Sequence, residues 1–114
     1  MKESPLILTL DAGGTNFVFS AMQNRELVTD PININAHPDD LDRCIGSLIL
    51  GFRNTVSKLG SMPDAISFAF PGPADYHLGI IGDLPNFKAF SGGTPLGPIL
   101  ENEFGIPVYI NNDG

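Results

Sequence analysis

Apolar and polar positions alternate with period two in several short stretches of the chain. In two longer stretches they recur every three to four residues. Residues 6–11, LILTLD, are a short apolar run closed by an acid, the pattern of a buried strand. In residues 16–22, NFVFSAM, Phe17, Phe19 and Ala21 alternate with Asn16, Val18 and Ser20, which predicts a second strand soon after the first. QNRE reads as a turn, and residues 27–35, LVTDPININ, as a third strand. Pro31 lacks an N–H for the ladder, so this strand is expected at an edge or bulged there. Three strands joined by short turns imply an antiparallel meander.

A helix is expected next. Pro38 suits its first position, and Asp39 and Asp40 complement the dipole of the first turn. Leu41, Cys44, Ile45, Leu48, Ile49, Phe52, Val56 and Leu59 share one face, Lys58 lies in the last turn, and Gly60 can supply a left-handed cap. Residues 65–70, AISFAF, form a fourth strand that ends at Pro71-Gly72-Pro73. A glycine- and proline-rich connection then runs to about residue 93. Thr94 as cap and Pro95 in the first turn predict a second helix with Leu96, Ile99, Leu100 and Phe104 inward and Gly105 as its stop. Residues 106–111, IPVYIN, form a fifth strand. The order β-β-β-α-β-α-β predicts an α/β fold, a mixed five-stranded sheet with helices packed on it.

Composition narrows this picture. The 114 residues suit one domain, and 42% hydrophobic residues supply a real core. No apolar run approaches the roughly 20 residues of a membrane span, so no membrane partner is expected. The opening stretch MKESPLILTLD lacks a small-residue cleavage site and reads as a strand, not a signal peptide. The net charge is −7, and the six basic residues are scattered. There is no basic stripe for a nucleic acid. Cys44 is the single cysteine, falls on the predicted buried helix face, and points to a reducing cytoplasm.

The stretch LTLDAGGTNFVFS carries candidate chemistry. A Walker loop would need a Lys that is not there, and a dinucleotide turn would open a helix. Here the residues after Gly14 alternate like a strand, so the turn is a hairpin. Gly13 and Gly14 can take positive φ and leave the backbone bare, and successive N–H groups with the Thr15 hydroxyl can form an anion nest. Asp11 would repel a naked phosphate but suits a divalent cation beside it. Glycines that serve hairpin geometry alone fit the motif equally well. PGPAD at the end of the fourth strand and NND at the end of the fifth tilt the balance, because ligands gather at such strand ends. Asp113 suits a general base taking a proton from an alcohol, and Asn112 suits hydroxyl recognition.

In this order and spacing the motifs resemble the N-terminal domain of the ROK family of sugar kinases. They are DAGGTN at 11–16, FAFPGPAD at 68–75, GII at 79–81, LPNF at 84–87 and PLGPILENEFGIPVYINND at 95–113. The resemblance implies a ribonuclease H-like, or actin-like ATPase, fold and ATP-dependent phosphoryl transfer to a sugar hydroxyl. It implies ATP-phosphate contacts at Asp11, Gly13, Gly14, Thr15 and Asn16, with Asp11 near Mg²⁺, directly or through water. It implies sugar contacts at Gly72, Asn86, Asn112 and Asp113, with Asp113 as catalytic base. Gly114 departs from the family's usual continuation. The family's second lobe, with a second phosphate loop, the adenine pocket, a Glu-x-x-His pair and often a zinc site, is not in these residues. Cys44, His37 and His77 lack zinc-site spacing, and both histidines read as solvated. The chain is therefore expected to be one lobe, inactive alone, of a cytoplasmic kinase that can be a homo-oligomer. ROK relatives also include sugar-sensing transcriptional regulators, whose helix-turn-helix would have no room before Leu6. A sugar-binding pseudo-enzyme remains a further alternative. An acyl-phosphate kinase or chaperone ATPase fits the Pro-Gly loop and the Asn-Asp pair less well.

Overall fold

β1 (Ile7–Ala12) and β2 (Asn16–Gln23) pair antiparallel, with Leu8 opposite Ala21, Leu10 opposite Phe19 and Ala12 opposite Phe17. Directly opposed residues share a face, so this register collects the large apolar side chains on one side of the sheet. The computed structural model describes residues 4–13, 15–37, 39–70, 74–75, 80–81 and 95–112. The expected third strand is two pieces, β3 (Glu26–Leu27) and β4 (Ile32–Asn35), which share the outer edge of β2. Pro31 marks the break, as a residue without an N–H must, and the ladder resumes at the next residue. β5 (Ala65–Phe70) pairs parallel with β1, and β8 (Val108–Asn112) pairs parallel with β5. The sheet therefore has six strands, not five, in the order β3-β2-β1-β5-β8, with β4 beside β3 on β2. The segment expected to be plain connection contains a small antiparallel pair, β6 (Ala74–Asp75) with β7 (Ile80–Ile81).

α1 (Leu41–Leu59) begins later than Pro38 suggests. Asp40 is its cap, and the Oδ1 atom accepts the Arg43 N–H at 3.1 Å. A carboxylate that satisfies a free first-turn donor decides the start more strongly than a proline's fixed φ, and Asp42 is the acid left in the first turn. Pro38 itself lies outside the described residues. Gly60, at φ 71°, closes the helix and donates its N–H to Val56 O, as expected. α2 (Leu96–Phe104) likewise starts one residue late: Pro95 occupies the cap position and makes no side-chain cap bond, and Thr94 lies outside the described residues.

Both helices cover the same face of the sheet. Phe52 of α1 meets Phe19 of β2 with ring centroids 5.0 Å apart, Phe68 of β5 at 5.9 Å and Phe104 of α2 at 6.0 Å. Two of these contacts are near-perpendicular, the favoured aromatic geometry. Arg53 pairs with Glu103 across the helices and lies over the Phe104 ring. The buried stripe of α1 is narrower in hydrophobicity than the sequence suggests. Ser47, Gly51 and Thr55 are buried beside Cys44, Leu48 and Phe52, whereas Leu41 is exposed. Thr55 satisfies its hydroxyl on Gly51 O at 2.8 Å. On the opposite face Thr9 and Ser20 share a hydrogen bond of 2.9 Å, and Tyr109 is exposed.

Candidate functional site at the glycine turn

β1, β5 and β8 run in the same direction, so their C-terminal ends share one edge of the sheet. Phe70, the last residue of β5, pairs with Asn112, the last of β8. The glycine turn follows β1 at this same edge. It joins two strands, as the alternation predicts.

The turn is held from three sides. Gly13 donates its N–H to Asn16 O at 3.0 Å and closes the hairpin. Asn16 Nδ2 donates to Thr15 Oγ1 at 3.1 Å. A hydroxyl that accepts this bond keeps its own hydrogen to donate elsewhere. The Thr15 carbonyl accepts the Ala36 N–H at 2.8 Å, which ties the turn to the segment that leads into α1. That segment is itself fixed: Asn35 Oδ1 accepts the His37 N–H at 2.9 Å, and His37 has φ 48°. An Asn two residues ahead of the bonded N–H is the sequence signal for such a turn. The link to Thr15 has no sequence signal, because it joins a turn residue to one far along the chain, just after β4.

Gly13 is not left-handed; among the described residues the positive-φ glycines are Gly60 and Gly105. Space is what glycine supplies there instead: a Cβ would lie 3.1 Å from Asn16 O, a tight approach that the oxygen would have to yield to. Asp11 is exposed on the face away from the helices, and Thr15 and Asn16 are exposed beside it. Asn112 is placed by its backbone at the end of β8. Gly14, Gly72, Asn86 and Asp113 lie outside the described residues. Among the described residues no group of three or more His, Cys, Asp or Glu side chains is placed to hold a metal ion. Cys44 is no part of this edge. Burial pushes its thiol up to about 12, which leaves it protonated and inert. A cleft lined by Leu27, Val28, Thr29, Asp30, Pro31 and Lys58 lies at the far end of β2, beside β3.

This edge, with its hairpin turn on a mixed sheet, defines an actin-like ATPase lobe, the fold of the ROK sugar kinases. The chain matches glucokinase from Parabacteroides distasonis at 58% identity, with a TM-score of 0.94, over 99% of this chain and 32% of that one. It matches the ROK hexokinase from Thermus thermophilus at 26% identity, with a TM-score of 0.82, over 95% of this chain and 35% of that one. A ROK family glucokinase from Streptomyces griseus, in complex with glucose and AMPPNP, shares the fold at 18% identity, with a TM-score of 0.78, over 95% of this chain and 33% of that one. A ROK family transcriptional regulator shares the fold as well, at 20% identity. No family model and no curated protein matches the chain. The structural neighbours are thus ROK-family glucokinases, sugar kinases and a regulator, and the resemblance carried by the motifs is borne out. The chain spans about a third of the length of the solved structures it matches. Among the described residues no helix is long and apolar enough to cross a membrane.

Proposed function

We propose that residues 1–114 form the N-terminal lobe of an ATP-dependent sugar kinase, inactive without a second lobe. The supporting observation is the glycine turn, at the edge where β1, β5 and β8 all end: its Gly13 N–H is spent on Asn16 O rather than left bare as the sequence suggests, and the Thr15 hydroxyl is left to donate. The 58% identity to a glucokinase over nearly the whole chain gives that edge its sugar-kinase reading. A relative of the same fold holds glucose and AMPPNP.

In this reading the backbone of Gly13 and Gly14, with Thr15 and Asn16, receives the ATP phosphates. Asp11 would hold Mg²⁺, directly or through water, and that cation would offset phosphate charge. The donor set fits: an exposed carboxylate beside hydroxyl and amide groups suits a hard cation on phosphate. Gly72, Asn86 and Asn112 orient the sugar. The Asp113 carboxylate takes the proton of one sugar hydroxyl. That oxygen bonds to the γ-phosphorus, the bond to the bridging oxygen breaks, and ADP leaves. The protein's share of catalysis is positioning and charge stabilisation. The lone cysteine is protonated in the core and fits a reducing, cytoplasmic setting.

The test is a chimera in which this chain replaces the matching third of the Parabacteroides distasonis glucokinase. A coupled ADP assay with a panel of hexoses should show turnover, and the 114-residue chain alone should show none. Asp113→Asn should lower kcat by roughly 10²- to 10⁴-fold, with little change in sugar affinity by calorimetry. Near-normal kcat in that variant removes Asp113 from the mechanism. A chimera that binds hexose without turnover favours the second reading, a sugar-binding regulator lobe, which the regulator of the same fold supports.

A further inference from the structure

We propose that Gly51, in the middle of α1, is a positioning residue for the glycine turn and acts on it through Phe19. The nucleotide consequence rests on the reading of that turn as the ATP-phosphate site. A Cβ on Gly51 would lie 2.1 Å from Cε1 of Phe19 and 2.3 Å from Cδ1 and Cζ, distances no real side chain tolerates. The ring therefore sits directly on the helix backbone.

The ring has nowhere to turn. Phe19 is fully buried, with the Phe17 ring 6.1 Å away and the Phe52 ring 5.0 Å away, both near-perpendicular to it. A side chain at 51 can be accommodated only if β2 moves away from the helix or α1 lifts from the sheet. In the first case the strand is gripped at Phe19 by Leu10 and Ile32, and two residues back at Phe17 by Ala12 and Ile34. The Ala12–Phe17 pair is the base from which the turn springs, so a shift of β2 is carried into the Gly13 N–H bond to Asn16 O. In the second case α1 draws with it the segment at its N-terminus. Asp40 donates its N–H to His37 O, and the Ala36 N–H is bonded to Thr15 O. Both routes of relief end on the turn, from opposite sides.

Hydrogen exchange at the Gly13 and Ala36 amides reads the two bonds that hold the turn and needs no nucleotide. Gly51→Ala should speed exchange at both. In the chimera it should lower kcat/KM for Mg-ATP by about 10- to 100-fold, the scale of an ångström of misplacement, and leave the sugar KM nearly unchanged. Adding Phe19→Leu removes the clashing ring and should restore both readouts. A folded Gly51→Ala protein with parental exchange and parental KM for ATP overturns the proposal, as does equal loss toward ATP and sugar. If Gly51→Ala does not fold, the double variant decides. Recovery of fold and ATP kinetics supports the contact, and failure to recover overturns it. A parental chimera without turnover defeats the kinase reading alone, and exchange still decides the role of Gly51.

Discussion

Replacing Gly13 by alanine separates the geometry of the turn from the stability of the lobe. Gly13 is outside the left-handed region, so alanine can adopt its backbone conformation. The lost freedom of the unfolded chain then stabilises by about 0.4–1 kcal/mol. Against this, the new Cβ would stand 3.1 Å from Asn16 O, and that oxygen must give by a few tenths of an ångström. The same oxygen accepts the Gly13 N–H at 3.0 Å. Asn16 is also held by pairing with Asn35, so the displacement falls on the bond that closes the hairpin. Weakening one backbone hydrogen bond costs about 0.5–1.5 kcal/mol. The two terms nearly cancel, and urea unfolding should show a net change within about 1 kcal/mol. In the proposed reading, a displaced turn has no such compensation in its contact with phosphate. One lost hydrogen bond to a charged phosphate is worth about 1.5–3 kcal/mol, so the KM for ATP in the chimera should rise by about tenfold to a hundredfold. Unchanged ATP kinetics in the folded variant, or a destabilisation well beyond 2 kcal/mol, roughly twice what these terms permit, would refute the reasoning.

Two further outcomes concern the core. Phe52→Ala deletes the ring on which both helices and two strands meet and should cost about 3–5 kcal/mol, read as a lower urea midpoint; a loss no larger than that of a surface substitution would mean these elements do not converge on Phe52. Cys44 should resist thiol reagents in the native protein and react once unfolded. Burial raises its folded-state value from 9.0 to about 12, so this contribution to stability is intact below pH 9.0 and is lost as pH rises toward 12. Cys44→Ala should flatten that decline, and equal declines in the two proteins would exclude the thiol as its cause.

β2 is legible from its alternation, and β1, β5 and β8 from short apolar runs bounded by an acid or by turn residues. β6 and β7 are too short to carry a period, and Pro31 divides a run that looks continuous. The start of α1 is hidden in the sequence because Asp40 suits a dipole partner as well as the cap that its side chain forms. On α1, Ser47, Gly51 and Thr55 are inside for their small size and, at Thr55, a local hydrogen bond, properties that hydrophobicity does not measure. At the turn, the hairpin was legible from the alternation that follows Gly14. The reason for Gly13 was not, since it lies in a distance to a backbone oxygen. The bond from Ala36 to Thr15 joins residues far apart along the chain and leaves no local pattern.

One alternation specifies both the core and the candidate site. Leu8 and Leu10 face the helices, so Thr9 and Asp11 must face away. Asp11 therefore stands in solvent opposite Val18, at the end of a strand whose other residues anchor it in the core. A slip of one residue in β1 would put its carboxylate among Phe17, Phe19 and Phe52, where desolvation without a partner is prohibitive. The register that buries the leucines is thus the register that presents the acid. The parallel run of β1, β5 and β8 then brings Asp11, Phe70 and Asn112 to one edge, although they are far apart along the chain. In the proposed reading, the acid that this register presents is the one that would face a cation on phosphate.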